Sequence, residues 1–195
     1  MSRRLAVFAS GTGTNFSAIV DHVRAGSLHA DVVLLVCDRP GAPVVERARG
    51  AGVPVLELAP RRFASKADYE QTVLDRLRLY RVDVVVLAGY MRIVTPLLMA
   101  AYPNRILNIH PAYLPEFPGK QGILDAFHAG VAQTGVTVHL IDEGVDSGPI
   151  LRQVRVPRYP EDTLDTLEAR IHGVEHELYP AVIESFLNAI ESEGQ

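Results

Sequence analysis

The sequence predicts an α/β fold: a mainly parallel, Rossmann-like sheet with helices on both faces, forming a single domain with two lobes. Three observations predict it. Short β-branched runs alternate with segments of helical period through the first half of the chain. The run Val82 to Ala88 is almost wholly apolar, as in a strand covered on both faces. A glycine-rich turn joins the first strand to the first helix, and in such sheets ligands bind beyond the carboxyl ends of the strands.

Leu5 to Ala9 reads as a buried strand and Gly11 to Thr14 as a turn. Asn15 to Arg24 reads as a helix, with Phe16, Ile19, Val20 and Val23 on one face. Val32 to Cys37 is a second strand, Val44 to Gly50 a short helix ended by glycine, and Val53 to Leu58 a third strand. Asp68 to Tyr80 places Tyr69, Val73, Leu77 and Tyr80 at helical spacing before the strand Val82 to Ala88. After Pro96 the texture changes. Arg105 to His110 is a strand, Pro111 to Gly119 a proline-rich loop, and Gly135 to Ile141 and Ile150 to Val156 are strands flanking a glycine-rich connection. Thr163 to Ile190 is helical, and Pro180 is expected to kink it or divide it in two. The expected organisation is one domain over 1–195, with one lobe over 1–100 and a second over 101–195.

A chain of 195 residues, 48% hydrophobic, can bury one substantial core. Its formal net charge of -4 argues against a general nucleic-acid binder, which needs a basic face to neutralise phosphates. The single cysteine, Cys37, lies in an apolar run and reads as a buried, inert thiol. The start Met1-Ser2-Arg3-Arg4 imitates the basic head of an export signal, but the apolar stretch Leu5 to Ala9 is shorter than the roughly 7–15 residues of an export core. The longest apolar stretch, around Val82 to Met91, is about half the roughly 20 residues a membrane helix needs. A cytoplasmic protein with no membrane partner is expected.

Three constellations could carry chemistry. Ser10-Gly11-Thr12-Gly13-Thr14-Asn15 lies between strand and helix, where glycines let the backbone approach a ligand and helix-start amides attract phosphate. It departs from the dinucleotide fingerprint at Phe16, where a third glycine would stand, and a tight turn with no ligand would use the same residues. In Asn108-Ile109-His110-Pro111, Asn108 and His110 share one face of a strand, so an amide donor and an imidazole converge on one point and could stabilise an oxyanion. Alone, His110 would serve equally as a structural histidine. The loop Asp142-Glu143-Gly144-Val145-Asp146-Ser147-Gly148-Pro149 reads either as a solvated turn or as the source of a carboxylate, Asp146, that favours protonated His110.

Taken together, Ser10 to Asn15, Gly89-Tyr90-Met91-Arg92-Ile93, Asn108 to Gly119 and Gly135 to Pro149 resemble the glycinamide ribonucleotide (phosphoribosylglycinamide) formyltransferases of the formyltetrahydrofolate-dependent superfamily. The ordered combination Asn-x-His-Pro, Leu-Pro-x-Phe-Pro-Gly, Thr-Val-His and Asp-x-Gly-Pro carries the resemblance from the first strand to the last helix. The resemblance implies transfer of a formyl group from 10-formyltetrahydrofolate, as co-substrate and without metal, to the amine of glycinamide ribonucleotide in purine biosynthesis. It implies a catalytic set of Asn108, His110 and Asp146, and a substrate phosphate loop of Gly13, Thr14 and Asn15. Glu175 would contact the sugar. Met91, Arg92, Ile93 and Val94, with Asn108, would line the folate pocket, and Lys66 would lie toward the folate tail. The partners implied are these small molecules, for a monomer or homodimer. Some members carry a histidine-rich stretch where this chain has Lys120-Gln121-Gly122-Ile123.

Other readings remain at this level. His172-Gly173-Val174-Glu175-His176 matches the H-x-x-E-H pattern of some zinc peptidases, although no third ligand is identifiable. A noncatalytic nucleotide-binding module would use the glycine loop and leave the trio unexplained. Within the superfamily, formyltetrahydrofolate deformylases carry an additional amino-terminal domain and methionyl-tRNA formyltransferases an additional carboxyl-terminal one. The strand at Leu5, the end at Gln195 and the negative charge set the expectation against both.

Overall fold

The computed structural model describes residues 2–192; Met1 and residues 193–195, the two ends of the expected domain, lie outside the described residues. The chain runs β1 (Arg3–Ala9), α1 (Thr14–Arg24), β2 (Ala30–Cys37), α2 (Pro43–Gly50), β3 (Val55–Glu57), α3 (Lys66–Leu79), β4 (Val84–Leu87), α4 (Pro96–Ala101), β5 (Ile106–His110), α5 (Gly122–His128), β6 (Gln133–Leu140), β7 (Ile150–Pro157) and α6 (Leu164–Ser192). The strands form one seven-stranded sheet in the order β3-β2-β1-β4-β5-β6-β7. Pairings from β3 through β5 are parallel, and β6 and β7 are antiparallel to their neighbours. The predicted mainly parallel α/β class is therefore observed.

Alternation along each strand feeds two cores. Leu5, Val7, Ala9, Leu35, Val84, Val86, Leu107 and Ile109 pack on one face beneath α1, α2 and α6, whose Phe16, Val44 and Tyr179 join the same cluster. Ala6, Phe8, Leu34, Val36, Val85, Leu87 and Ile106 pack on the other beneath α3 and α4, through Tyr69, Val73, Leu77 and Leu98. With both faces covered, the central strands can be apolar at successive positions, which explains the run at Val84–Leu87.

β1 lies between β2 and β4, so the chain leaves β1 toward β3 and then crosses back to start β4 on the other side. The carboxyl ends of β1 and β4 flank the crevice created by this reversal, where open α/β sheets bind ligands. The expected division at Pro180 does not occur: α6 is a single 29-residue helix with Pro180 inside it. Tyr179, Val182 and Ile183 on either side are buried, and their packing holds the helix across the missing backbone donor. Tyr179 also donates its hydroxyl to the carbonyls of Leu87 at 2.7 Å and Leu107 at 3.2 Å, fastening α6 to the carboxyl end of β4 and the first half of β5.

Candidate active site

The loop after β1 is shaped by close packing. Gly13 has φ 77, and a Cβ there would lie 2.9 Å from the Val44 Cα, so the turn into α1 admits only glycine without displacing α2. α1 has no side-chain cap and no acidic residue in its first turn, which leaves its leading amides for an anion. Asn15 Oδ1 is buried with no hydrogen-bond partner. Its amide, turned over, would present donors to the same anion.

The segment after β4 is fixed at both ends. Ser10 Oγ donates to Asp38 at 2.5 Å and accepts from the Met91 amide at 2.9 Å. At the far end, buried Glu70 accepts from the Thr95 amide at 2.9 Å and from its hydroxyl. Between these anchors, Arg92 lies 5.0 Å from the Tyr69 ring centroid, and the Tyr69 and Tyr90 hydroxyls meet at 2.9 Å. Burial pushes the Tyr69 phenol up to about 12 and the Tyr90 phenol up as well, so both remain neutral. Met91 and Ile93 stay 39% and 67% exposed, an apolar rim suited to a flat ligand.

β5 supplies Asn108 and His110 on one strand face, and β6 sets His139 opposite Asn108. His110 Nε2 bonds the Phe117 carbonyl at 2.8 Å. A carbonyl only accepts, so this nitrogen carries a proton and Nδ1 is left facing Asp146 Oδ2, 3.6 Å away. Asp146, at φ 52 in the loop after β6, also accepts from the Gly119 amide at 2.8 Å and lies 3.6 Å from His139 Nε2. Burial tends to raise the Asp146 carboxyl, but the His139 side chain, the Gly119 amide and the charges of both histidines outweigh it and hold it below the usual value. Asp146 is therefore a carboxylate at neutral pH.

Strand register sets Asn108 beside His139. His139 Nδ1 bonds the Leu140 carbonyl at 2.9 Å and so carries a proton, and its Nε2 lies 3.2 Å from Asn108 Nδ2. Asn108 Nδ2 carries two N–H groups, so one can reach a ligand oxygen.

These parts surround one cavity of ≈ 500 Å³, a size that suits a small-molecule site. Of the predicted residues, Gly13, Thr14, Asn15, Met91, Arg92, Ile93, Val94, Asn108, His110, Asp146 and Glu175 all line it. Lys66 does not; it is the exposed first residue of α3. Glu175 is buried and bonds His172 Nδ1 at 2.6 Å, while His172 Nε2 lies 3.4 Å from Glu168. His172 and His176 stack with ring centroids 6.3 Å apart, and no group of three or more metal-ligating side chains occurs among the described residues. In the H-x-x-E-H sequence His172 and Glu175 are thus paired with each other on the helix, while His176 Nε2 is buried without a hydrogen-bond partner.

Residues 3–183 match the formyl transferase family. The chain belongs to this family. It is 46% identical over 185 residues to a phosphoribosylglycinamide formyltransferase of Bacillus subtilis (strain 168), covering 95% of each chain. It is 36% identical to one from Escherichia coli (strain K12), covering 93% of this chain and 86% of that one. The crystal structure of glycinamide ribonucleotide transformylase 1 from Geobacillus kaustophilus superposes with a TM-score of 0.94 at 53% identity, covering 96% of this chain and 100% of that chain.

In this formyl transferase several cavity residues had been given no part in a formyl-transfer site from sequence: Arg39 and Glu168, and also Tyr90, Lys120 and His172, which lay within quoted segments. Arg39 had a usable signal, since it follows the carboxyl end of β2, the side of a parallel sheet where ligands bind. His139 lay within the quoted Thr-Val-His motif but had no role assigned, because its partner Asn108 is set by strand register rather than by spacing.

Proposed function

We propose that this formyl transferase moves the formyl group of 10-formyltetrahydrofolate to the amine of glycinamide ribonucleotide, in purine biosynthesis. The observation that carries the reading is the convergence of Asn108, His110 and Asp146 on one cavity, with a phosphate-type loop and the Met91–Val94 rim in the same lining.

Gly13, Thr14 and Asn15 hold the nucleotide phosphate, and Glu175 accepts from its sugar hydroxyls. Met91, Arg92, Ile93 and Val94, with Asn108, hold the folate, and Lys66 lies outside toward its tail. The substrate amine attacks the formyl carbon, forming a C–N bond and placing negative charge on the formyl oxygen. Asn108 Nδ2 and protonated His110 Nδ1 donate to that oxygen. As the bond to the folate nitrogen breaks, that nitrogen receives a proton through His110, and the proton lost by the amine passes to the His110–Asp146 pair. No covalent intermediate with the protein is needed. The half 1–100 supplies the phosphate loop and the Met91–Val94 segment, and 101–195 supplies the catalytic set.

No helix among the described residues is long and apolar enough to cross a membrane. We place the protein in the cytoplasm as a monomer or homodimer acting on small molecules, not nucleic acid. The test is consumption of the formyl donor by purified protein with and without glycinamide ribonucleotide. Consumption only with the nucleotide is expected, with a formylated product. Equal consumption without it would replace transfer by hydrolysis.

A further inference from the structure

His110 is held from behind as well as from the cavity. Its Nε2–H bonds the Phe117 carbonyl at 2.8 Å, and Gly122, the buried first residue of α5, lies against that bond. A Cβ at Gly122 would stand 3.0 Å from the Phe117 oxygen, 3.1 Å from His110 Nε2 and 3.3 Å from His110 Cε1. Donor and acceptor would both be pushed, and neither is the free end of a flexible chain. The carbonyl belongs to a loop with Phe117 at φ 49 and Gly119 at φ 91, and the His110 side chain is only 5% exposed.

Backbone conformation does not call for glycine here. Gly122 is absent from the left-handed positions and begins a helix, where alanine would be favoured. We propose that Gly122 is a positioning residue for His110. Its missing side chain lets α5 close on the His110–Phe117 bond and so keeps Nδ1 turned toward Asp146 and the cavity. This rests on the reading of His110 as the catalytic imidazole. It also gives a role to the segment Lys120-Gln121-Gly122-Ile123. The loop before that segment fixes both members of the pair, His110 through the Phe117 carbonyl and Asp146 through the Gly119 amide.

The test compares Gly122→Ala with Gly50→Ala, a helical glycine with nothing within 4 Å of an added Cβ. Gly122→Ala is expected to lower kcat about 10- to 100-fold, as for partial loss of one aligned donor, while KM for both substrates stays within about threefold. Gly50→Ala should leave all three constants unchanged. The ring-nitrogen NMR signals of His110 should shift in Gly122→Ala and not in the control. Thermal midpoints of the four combinations with His110→Ala read the same contact without catalysis. Gly122→Ala should lower the midpoint when His110 is present, and leave it unchanged or raise it when the ring is gone. An equal midpoint change in both backgrounds would overturn the contact. Wild-type kcat together with unmoved His110 signals would overturn the positioning role. A shifted His110 signal and a coupled midpoint with no nucleotide-dependent turnover in the wild type would leave Gly122 as the seat of His110 and instead sink the catalytic reading.

Discussion

Replacing Asp146 by asparagine removes one charge and almost no volume. The amide oxygen can still accept from the Gly119 amide, now at 2.8 Å from Oδ2, so the loop is expected to keep its course. What is lost is the counter-charge 3.6 Å from His110 Nδ1. Two unit charges at that distance attract by about 4–5 kcal/mol at an effective dielectric near 20, the upper bound on the effect. The carboxylate is shared with His139, also 3.6 Å away, and its burial offsets part of the gain. A loss of about 2–3 kcal/mol of transition-state stabilisation therefore follows, about 30- to 150-fold in kcat. KM for the nucleotide should stay within about threefold, because the proposed phosphate loop follows β1 and makes no contact with Asp146, which follows β6. The assay is steady-state formyl-donor consumption at saturating nucleotide, with thermal midpoints of both proteins to verify folding. Turnover of Asp146→Asn within about threefold of wild type, in a folded protein, would refute the electrostatic argument.

Asn15→Ala should raise KM for the nucleotide about 10- to 100-fold, the cost of about one or two hydrogen bonds to a charged group, with kcat nearly unchanged; nucleotide titrations against both proteins check it. Tyr179→Phe removes the hydroxyl shared by the Leu87 and Leu107 carbonyls and should cost about 1–2 kcal/mol, lowering the thermal midpoint by about 2–8 °C in calorimetry. The hydrogen bond that His172 donates to Glu175, strengthened by Glu168 and opposed by burial, holds the His172 imidazole above its ordinary value. A raised folded value stabilises the protein fully below the unfolded value and is lost as pH rises through the folded one, so His172→Gln should flatten the loss of thermal midpoint above neutrality. Asp146 has the opposite sign. Its lowered carboxyl stabilises above the ordinary carboxylate value and is lost on acidification through the folded one, so Asp146→Asn should flatten the acid limb of the same midpoint-against-pH curve.

The sequence by itself determined the features that depend on neighbours along the chain. Apolar, β-branched runs marked β1, β2 and β4 and helical periods marked α1 and α3 to within a few residues, because a strand covered on both faces is apolar throughout and a helix's buried face repeats with its backbone. Gly13 before Thr14 and Asn15 is legible because a left-handed turn into a helix selects glycine locally. Asn108 and His110 on one face follow from the two-residue repeat alone. The short helices α4 and α5 were not read, since six and seven residues are too few to show a period. Tertiary structure alone decided that α6 passes Pro180 unbroken, because packing of Tyr179, Val182 and Ile183 offsets the lost backbone bond. It also left Lys66 outside the cavity lining and set His139, 31 residues on in sequence, against Asn108. Asp146 belongs to both accounts. Family resemblance marked it, but its contacts with His110, His139 and Gly119 join three separate segments, and only the closure of the sheet fixes distances between segments that no spacing in the sequence controls.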